Sequence, residues 1–130
     1  MWKEKLPNNC PPESAKELEI EVFRILLEEE STENDFVTYS NLYPENIRYK
    51  LLCKAHAISF YDSVKNAEKA WKEASERGKN LGNYIGKYSI SIQNGRNLYS
   101  SETGHYSTWF YNTWDYQNFI PSFVSEINEN

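Results

Sequence analysis

Between Asp62 and Ser101 the apolar residues change their spacing once, and that change restricts what the chain can be built from. Val64, Ala67, Ala70, Trp71 and Ala74 recur at three- and four-residue steps, while Lys65, Glu68, Lys69, Lys72, Glu73 and Glu76 take the other side of the wheel. Such a stripe suits a helix, because one turn takes about 3.6 residues. It predicts an amphipathic helix over about 62–77, capped by Asp62 and stopped by Gly78 after the basic Arg77. Trp71 then belongs to the core. From Tyr84 the period is two: Tyr88, Ile90 and Ile92 point one way, and Ser89, Ser91 and Gln93 the other. Asn94-Gly95 follows, a strong hairpin signal because both central positions of a type I′ turn favour positive φ. Arg96 to Ser101 is therefore expected to return as the partner strand, with a further strand over His105 to Asn112 after Gly104. One firm helix and a hairpin-rich, aromatic C-terminal half make the chain α+β.

The N-terminal half is less regular. Residues 1–15 form a proline-rich arm expected to be extended, with Pro7, Pro11 and Pro12 excluding regular structure. Residues 20–27 read as a strand through Ile20, Val22, Phe23 and Ile25, although Leu18, Val22, Ile25 and Leu26 also fit a helical face. Thr32 and Asp35 have capping-box spacing ahead of a short helix over about 33–41, Tyr43-Pro44-Glu45-Asn46 reads as a turn, and Ala57-Ile58-Ser59-Phe60 as a buried strand. The segment 119–124 is apolar enough to dock, and 125–130 is expected to fray.

A chain of 130 residues supports a single domain, 1–130, with its own core. Its net charge of −5 argues against direct nucleic-acid binding, and no apolar run is long enough to span a bilayer. A soluble, cytoplasmic protein without a membrane partner is expected. The charge is segregated: residues 1–50 carry 6 bases and 11 acids, 51–100 carry 8 and 4, and 101–130 carry 4 acids and no base. A local anion site around Lys54, Lys65, Lys69 and Lys72 is therefore compatible with the acidic total, and Glu28-Glu29-Glu30, Glu33 and Asp35 form an acidic counterpart.

Complete catalytic constellations are missing from the sequence. Two histidines and two distant cysteines make no metal-ligand spacing, and the glycines form no phosphate-binding loop, so neither a metal nor a resident cofactor is expected. Cys53 beside Lys54 and near His56 is either a thiol of lowered pKa or a small buried apolar side chain. Arg24 interrupts an apolar run, where a guanidinium needs a carboxylate, a phosphate or water, and Glu19, Glu21 and Glu28 offer salt bridges. His105 is a general acid or base by residue type, or a hydrogen-bonded structural histidine.

Trp2, Leu6-Pro7, Pro11-Pro12, Phe23-Arg24, Ile58-Ser59 and His105-x-x-Thr108-Trp109 together resemble a set of small bacterial single-domain proteins, with departures at Ala57 and Phe110. The resemblance implies a bacterial cytoplasmic domain, in a phage-defence or mobile-element setting, and no reaction. Two functions follow from the residues. The first is a protein-interaction module that binds a protein partner through an aromatic C-terminal surface, carried by Trp109, Tyr111, Trp114 and Tyr116. The second is an enzyme using NAD or a nucleotide, because the order Arg24, Ser59, Glu102 resembles small ADP-ribosyltransferase-like domains. That likeness implies Arg24 on a diphosphate, Ser59 on the nicotinamide ribose and Glu102 at an oxocarbenium-like centre, with His105 assisting.

Overall fold

The computed structural model describes residues 1–127. Six antiparallel strands form one sheet: β1 (Ile20–Leu26), β2 (Ile58–Tyr61), β3 (Tyr84–Ile90), β4 (Gly95–Ser100), β5 (His105–Phe110) and β6 (Phe123–Glu126), in the order β4-β5-β2-β1-β3-β6. The helical elements are short except one: α1 (Tyr39–Leu42), α2 (Ile47–Leu51) and α3 (Val64–Glu76). The ambiguous N-terminal segment is thus a strand. The helix expected over about 33–41 divides into a 3₁₀ turn, Glu33–Phe36, and α1, with the Thr32–Asp35 capping box present.

Alternation along β1 sorts its side chains to two cores. Val22 and Leu26 join Ile58, Phe60, Tyr88, Ile90, Phe110, Trp114 and Phe119 in a ring-rich core on one face. Phe23 and Ile25 face α3, where Ala67, Trp71, Ile85 and Ile127 are buried. The Trp71 indole donates to the Gly82 carbonyl at 2.6 Å, so the largest side chain of the helix stripe is anchored as core. The helix is one residue shorter than expected at its C-terminal end and two at its start, because Ser63, not Asp62, accepts the capping bond from the Asn66 amide. Asp62 instead accepts from the Asn66 side chain and the Tyr99 hydroxyl, which hold its carboxyl below the ordinary carboxylate range.

Asn94-Gly95 does not make a β3–β4 hairpin. β3 pairs with β1 and β6, whereas β4 pairs with β5. Neither turn residue takes positive φ; Asn94 Oδ1 accepts from the Ser91 amide, and Gly95 already belongs to β4. What requires glycine is close approach, because a Cβ at Gly95 would overlap the backbone of Trp109 and Phe110 in β5. The chain reaches β4 in so few residues because the sheet curls. Lys16, just before β1, bridges Asn97 of β4 through Lys16 N–H to Asn97 O at 2.8 Å and Asn97 N–H to Lys16 O at 2.7 Å. β4, β5, β2 and β1 thereby close into a ring.

Both termini are tied down. The arm is irregular, as expected, but Lys3 donates its amide to Phe110 O, Trp2 bridges Tyr111, and Cys10 is disulfide-bonded to Cys53. Cys53 is therefore neither a reactive thiol nor a free apolar side chain, an outcome invisible from a spacing of 43 residues. Ser125 and Glu126, expected to fray, belong to β6 and pair with β3, and the Ile127 amide donates to Asn83 O at 2.8 Å. The remainder of that expected tail, 128–130, lies outside the described residues.

Candidate functional site

The ring of strands has one weak seam. β1 and β3 pair along Ile20 to Leu26, but β1 and β2 pair only at Phe23 and Tyr61. Beyond that point the two strands part, and Arg24 reaches into the gap. Its Nε donates to Asp35 O of the 3₁₀ turn and its Nη1 to Ser59 O of β2, both at 2.7 Å, so the guanidinium satisfies two carbonyls at the gap. Phe36 and Phe60 lie 5.7 and 5.9 Å from its central carbon, at cation–π range.

The salt bridges expected for Arg24 do not form. Glu19 and Glu21 have the opposite parity to Arg24 along the strand, and Glu21 pairs instead with Lys87 at 2.7 Å. The nearest acid, Asp35, has its carboxylate accepting from the amides of Thr32 and Leu27 at 2.7 and 3.3 Å. Burial lowers the Arg24 pKa from its ordinary value, and the negative potential of Asp35, with lesser contributions from Tyr88, Tyr61 and Tyr39, works against that shift. The cleft at this seam encloses about 240 Å³, with Arg24, Ser59, Tyr39, Tyr61, Asn34 and Asn80 on its polar side and Ile25, Leu42 and Leu81 on its apolar side.

A second cavity of about 270 Å³ shares the walls Tyr39, Tyr61 and Leu81 with the first. Its cations are Lys69, Arg77 and Lys79, its acid is Glu73, and His105 also lines it. His105 contacts Tyr61 edge-on at 5.3 Å; burial, and then the positive Lys54 and Arg24, lower its pKa from the ordinary histidine value. Of the four residues proposed for an enzyme, Arg24 and Ser59 meet directly, His105 stands across Tyr61 in the adjoining cavity, and Glu102 lies in the exposed β4–β5 turn outside both.

The C-terminal rings are mostly interior. Trp109 is 1% exposed and donates its indole N–H to Cys53 O at 3.1 Å; Trp114 is 5% exposed and stacks on Phe110 with centroids 4.0 Å apart. Tyr111 is half-buried against Trp2, its hydroxyl donating to Glu17 at 2.6 Å, and Tyr116 is half-buried against the ring-rich core. The density of rings in that stretch is what the inner face of a curled sheet needs.

Exposed apolar side chains are scattered at Leu27, Ile92, Ile120 and Phe123, but they gather where sequence reasoning did not place them. Tyr39, Leu42, Tyr43, Ile47, Leu51 and Leu52 are all exposed, Ile47 and Leu51 at 72% and 74%. Tyr39, Tyr43 and Tyr49 lean on one another with centroids 5.9–6.3 Å apart. The signal was present as Ile47 and Leu51 four apart in a helix too short to bury them. This platform is held from behind by Glu4, whose carboxylate accepts from Thr38 at 2.9 Å, Ser40 at 2.7 Å and Asn41 at 3.2 Å, and pairs with His56 Nδ1 at 2.6 Å. The Cys10–Cys53 disulfide pins the residues that follow α2 to the same arm.

Among the described residues, no three His, Cys, Asp or Glu side chains gather as a metal site, and no helix is long and apolar enough to cross a membrane. No protein-family model, curated protein or solved structure matches the chain.

Proposed function

We propose that this protein is an interaction module whose partner docks on the platform from Tyr39 to Leu52. The observation that carries this reading is the exposure of six large apolar side chains within one short stretch, clamped in place by Glu4 and a disulfide. Contiguous apolar surface of this kind marks contact sites in folded proteins, and rigid presentation lowers the ordering cost of binding. Arg48 and Lys50 belong to the same segment and Lys54 follows it, against the single acid Glu45, so the fitting partner is a protein with an apolar ridge flanked by acidic side chains. Of the C-terminal rings, Trp109 supports the platform from within, because its indole N–H holds the carbonyl of Cys53 just behind it. The enzymatic alternative needs Glu102 beside Arg24 and Ser59, and the geometry favours binding over transfer from NAD.

The variant Ile47→Ser/Leu51→Ser tests this, since both residues are exposed and the fold should survive their loss. A protein retained from lysate by the native chain, lost with the variant, and then binding the native chain saturably when purified is the expected result. Self-association of the native chain abolished by the variant would assign the platform to a second copy and overturn the reading. Equal retention by both chains, or capture of anionic vesicles instead of a protein, would also overturn it.

A further inference from the structure

The β1–β2 seam has the properties of a built oxyanion site that meets the platform only at Tyr39 and Leu42. Strand pairing is interrupted in the middle of the sheet, not at an edge, and the guanidinium of the partly buried Arg24 occupies the gap with no carboxylate of the described residues in salt-bridge range. Two of its nitrogens are committed to carbonyls. Nη2 makes no hydrogen bond to the described residues, and the hydroxyls of Ser59, Tyr39 and Tyr61, which line the same cavity, donate to none of them. With Nε–H and one N–H of Nη1 engaged, Arg24 keeps three of its five N–H donors, two of them on Nη2. Hydroxyl donors lining the same cavity as those N–H groups suit a ligand group with several acceptor oxygens, such as a phosphate.

The adjoining cavity extends the site. Each cavity alone is smaller than the ~300 Å³ at which small-molecule sites begin, and across their shared walls the pair reaches that range. Between them stand the rings of Tyr39 and Tyr61, and beyond them Lys69, Arg77 and Lys79 outnumber Glu73. We propose that the two cavities form one site for a small phosphate-bearing ligand with two anionic groups: one on Arg24 and Ser59, the other on Lys69, Arg77 and Lys79, with any planar moiety against Tyr39 and Tyr61. A diphosphate-bearing nucleotide is the chemical class that presents all three features.

The test is titration of the ¹⁵N-labelled full chain with inorganic phosphate, pyrophosphate and adenosine diphosphate. Saturable amide shifts centred on Arg24, Ser59 and Tyr61 are expected, with pyrophosphate at least about tenfold tighter than phosphate, as for about 1.4 kcal/mol of added contact. Lys69→Ala/Arg77→Ala, both exposed, the first in α3 and the second just after it, should remove that advantage while leaving phosphate affinity within about twofold. Adenosine diphosphate should add shifts at Tyr39. Arg24→Met should abolish binding of all three probes; if that variant does not fold, Ser59→Ala should weaken phosphate about three- to tenfold instead. No saturable binding at millimolar probe, shifts confined to the outer face of α3, or full pyrophosphate preference in Lys69→Ala/Arg77→Ala would each overturn the proposal. The phosphate and pyrophosphate outcomes are read at Arg24, Ser59, Lys69 and Arg77, outside the platform, so they stand or fall apart from the docking of a protein there.

Discussion

Arg24 is tolerated inside an apolar strand because its surroundings supply carbonyl acceptors and ring faces in place of a counter-ion. A buried charge without such partners costs several kcal/mol, so the Asp35 and Ser59 carbonyls are what make the arginine tolerable at this position. Its positive field reaches His105, which burial and Lys54 already disfavour as an imidazolium. The folded pKa of His105 is therefore depressed relative to the unfolded chain, where it titrates near about 6.5. Above that value both states are neutral and the full stability is present. As the pH falls through it, the unfolded chain takes up a proton that the folded protein resists, and stability declines until the folded pKa is passed. Urea unfolding followed from about pH 7.5 down to about pH 5 should show the native chain losing stability faster than His105→Asn. Parallel pH profiles for the two proteins would remove His105 from this linkage.

Among the elements, β4 depends most on a single residue. It lies at an end of the sheet order, held by β5 and by the Lys16 bridge. A methyl group at Gly95 would press into backbone, which has no rotamer with which to move aside. Gly95→Ala is expected to cost about 3 kcal/mol or more by forcing β4 away from β5. Gly78→Ala is the control. It adds a Cβ where nothing lies within 4 Å but keeps φ at +79°, so its cost should be the roughly 1–2 kcal/mol of left-handed strain alone. Chemical unfolding of both variants measures the difference, and equal losses would mean that the β4–β5 approach does not limit stability. α2 is the opposite case. Capped by the Asn46 side chain but only Ile47–Leu51 long, it is too short to stand alone and persists through what surrounds it.

At the scale of the whole molecule, the N-terminal arm acts as a strap. It crosses the sheet at Trp2 and Lys3, offers Glu4 to the segment before α2, and closes through Cys10 onto Cys53. A crosslink spanning 43 residues removes chain entropy from the unfolded state worth about 4 kcal/mol in the loop-closure model. Reduction, or Cys10→Ser/Cys53→Ser, should lower unfolding stability by about 2–4 kcal/mol, with the loss read from the urea midpoint at unchanged slope. An unchanged midpoint would show that Glu4 and the Lys3 bond hold the strap without it. Disulfides persist in oxidising surroundings, so the strap adds a requirement that a cytoplasmic expectation did not contain.

The spacing of Val64, Ala67, Trp71 and Ala74 was enough to place α3 and to assign Trp71 to the core. The alternation at Tyr88 and Ile90 likewise named β3 and the inward face, and the run around Ile20 to Leu26 named β1 once strand was preferred to helix. These features are local: each depends on which side of one element a residue occupies, and period alone decides that. Arg24 could be singled out in the same way, as the residue that breaks an apolar face. Pairing was not legible, because alternation says which residues share a face and not which strands are neighbours. Asn94-Gly95 shows the consequence: glycine serves a turn or a close approach equally well, and only the curl of the sheet onto Lys16 selects the second. The Cys10–Cys53 bond, the burial of Trp109 and Trp114, the parting of β1 from β2 and the exposure of Ile47 and Leu51 all arise from contacts between residues distant in the chain. Sequence determined α3, β1 and β3 and their inner faces; tertiary structure decided the remaining short elements, where the sheet opens and which apolar residues have nothing to pack against.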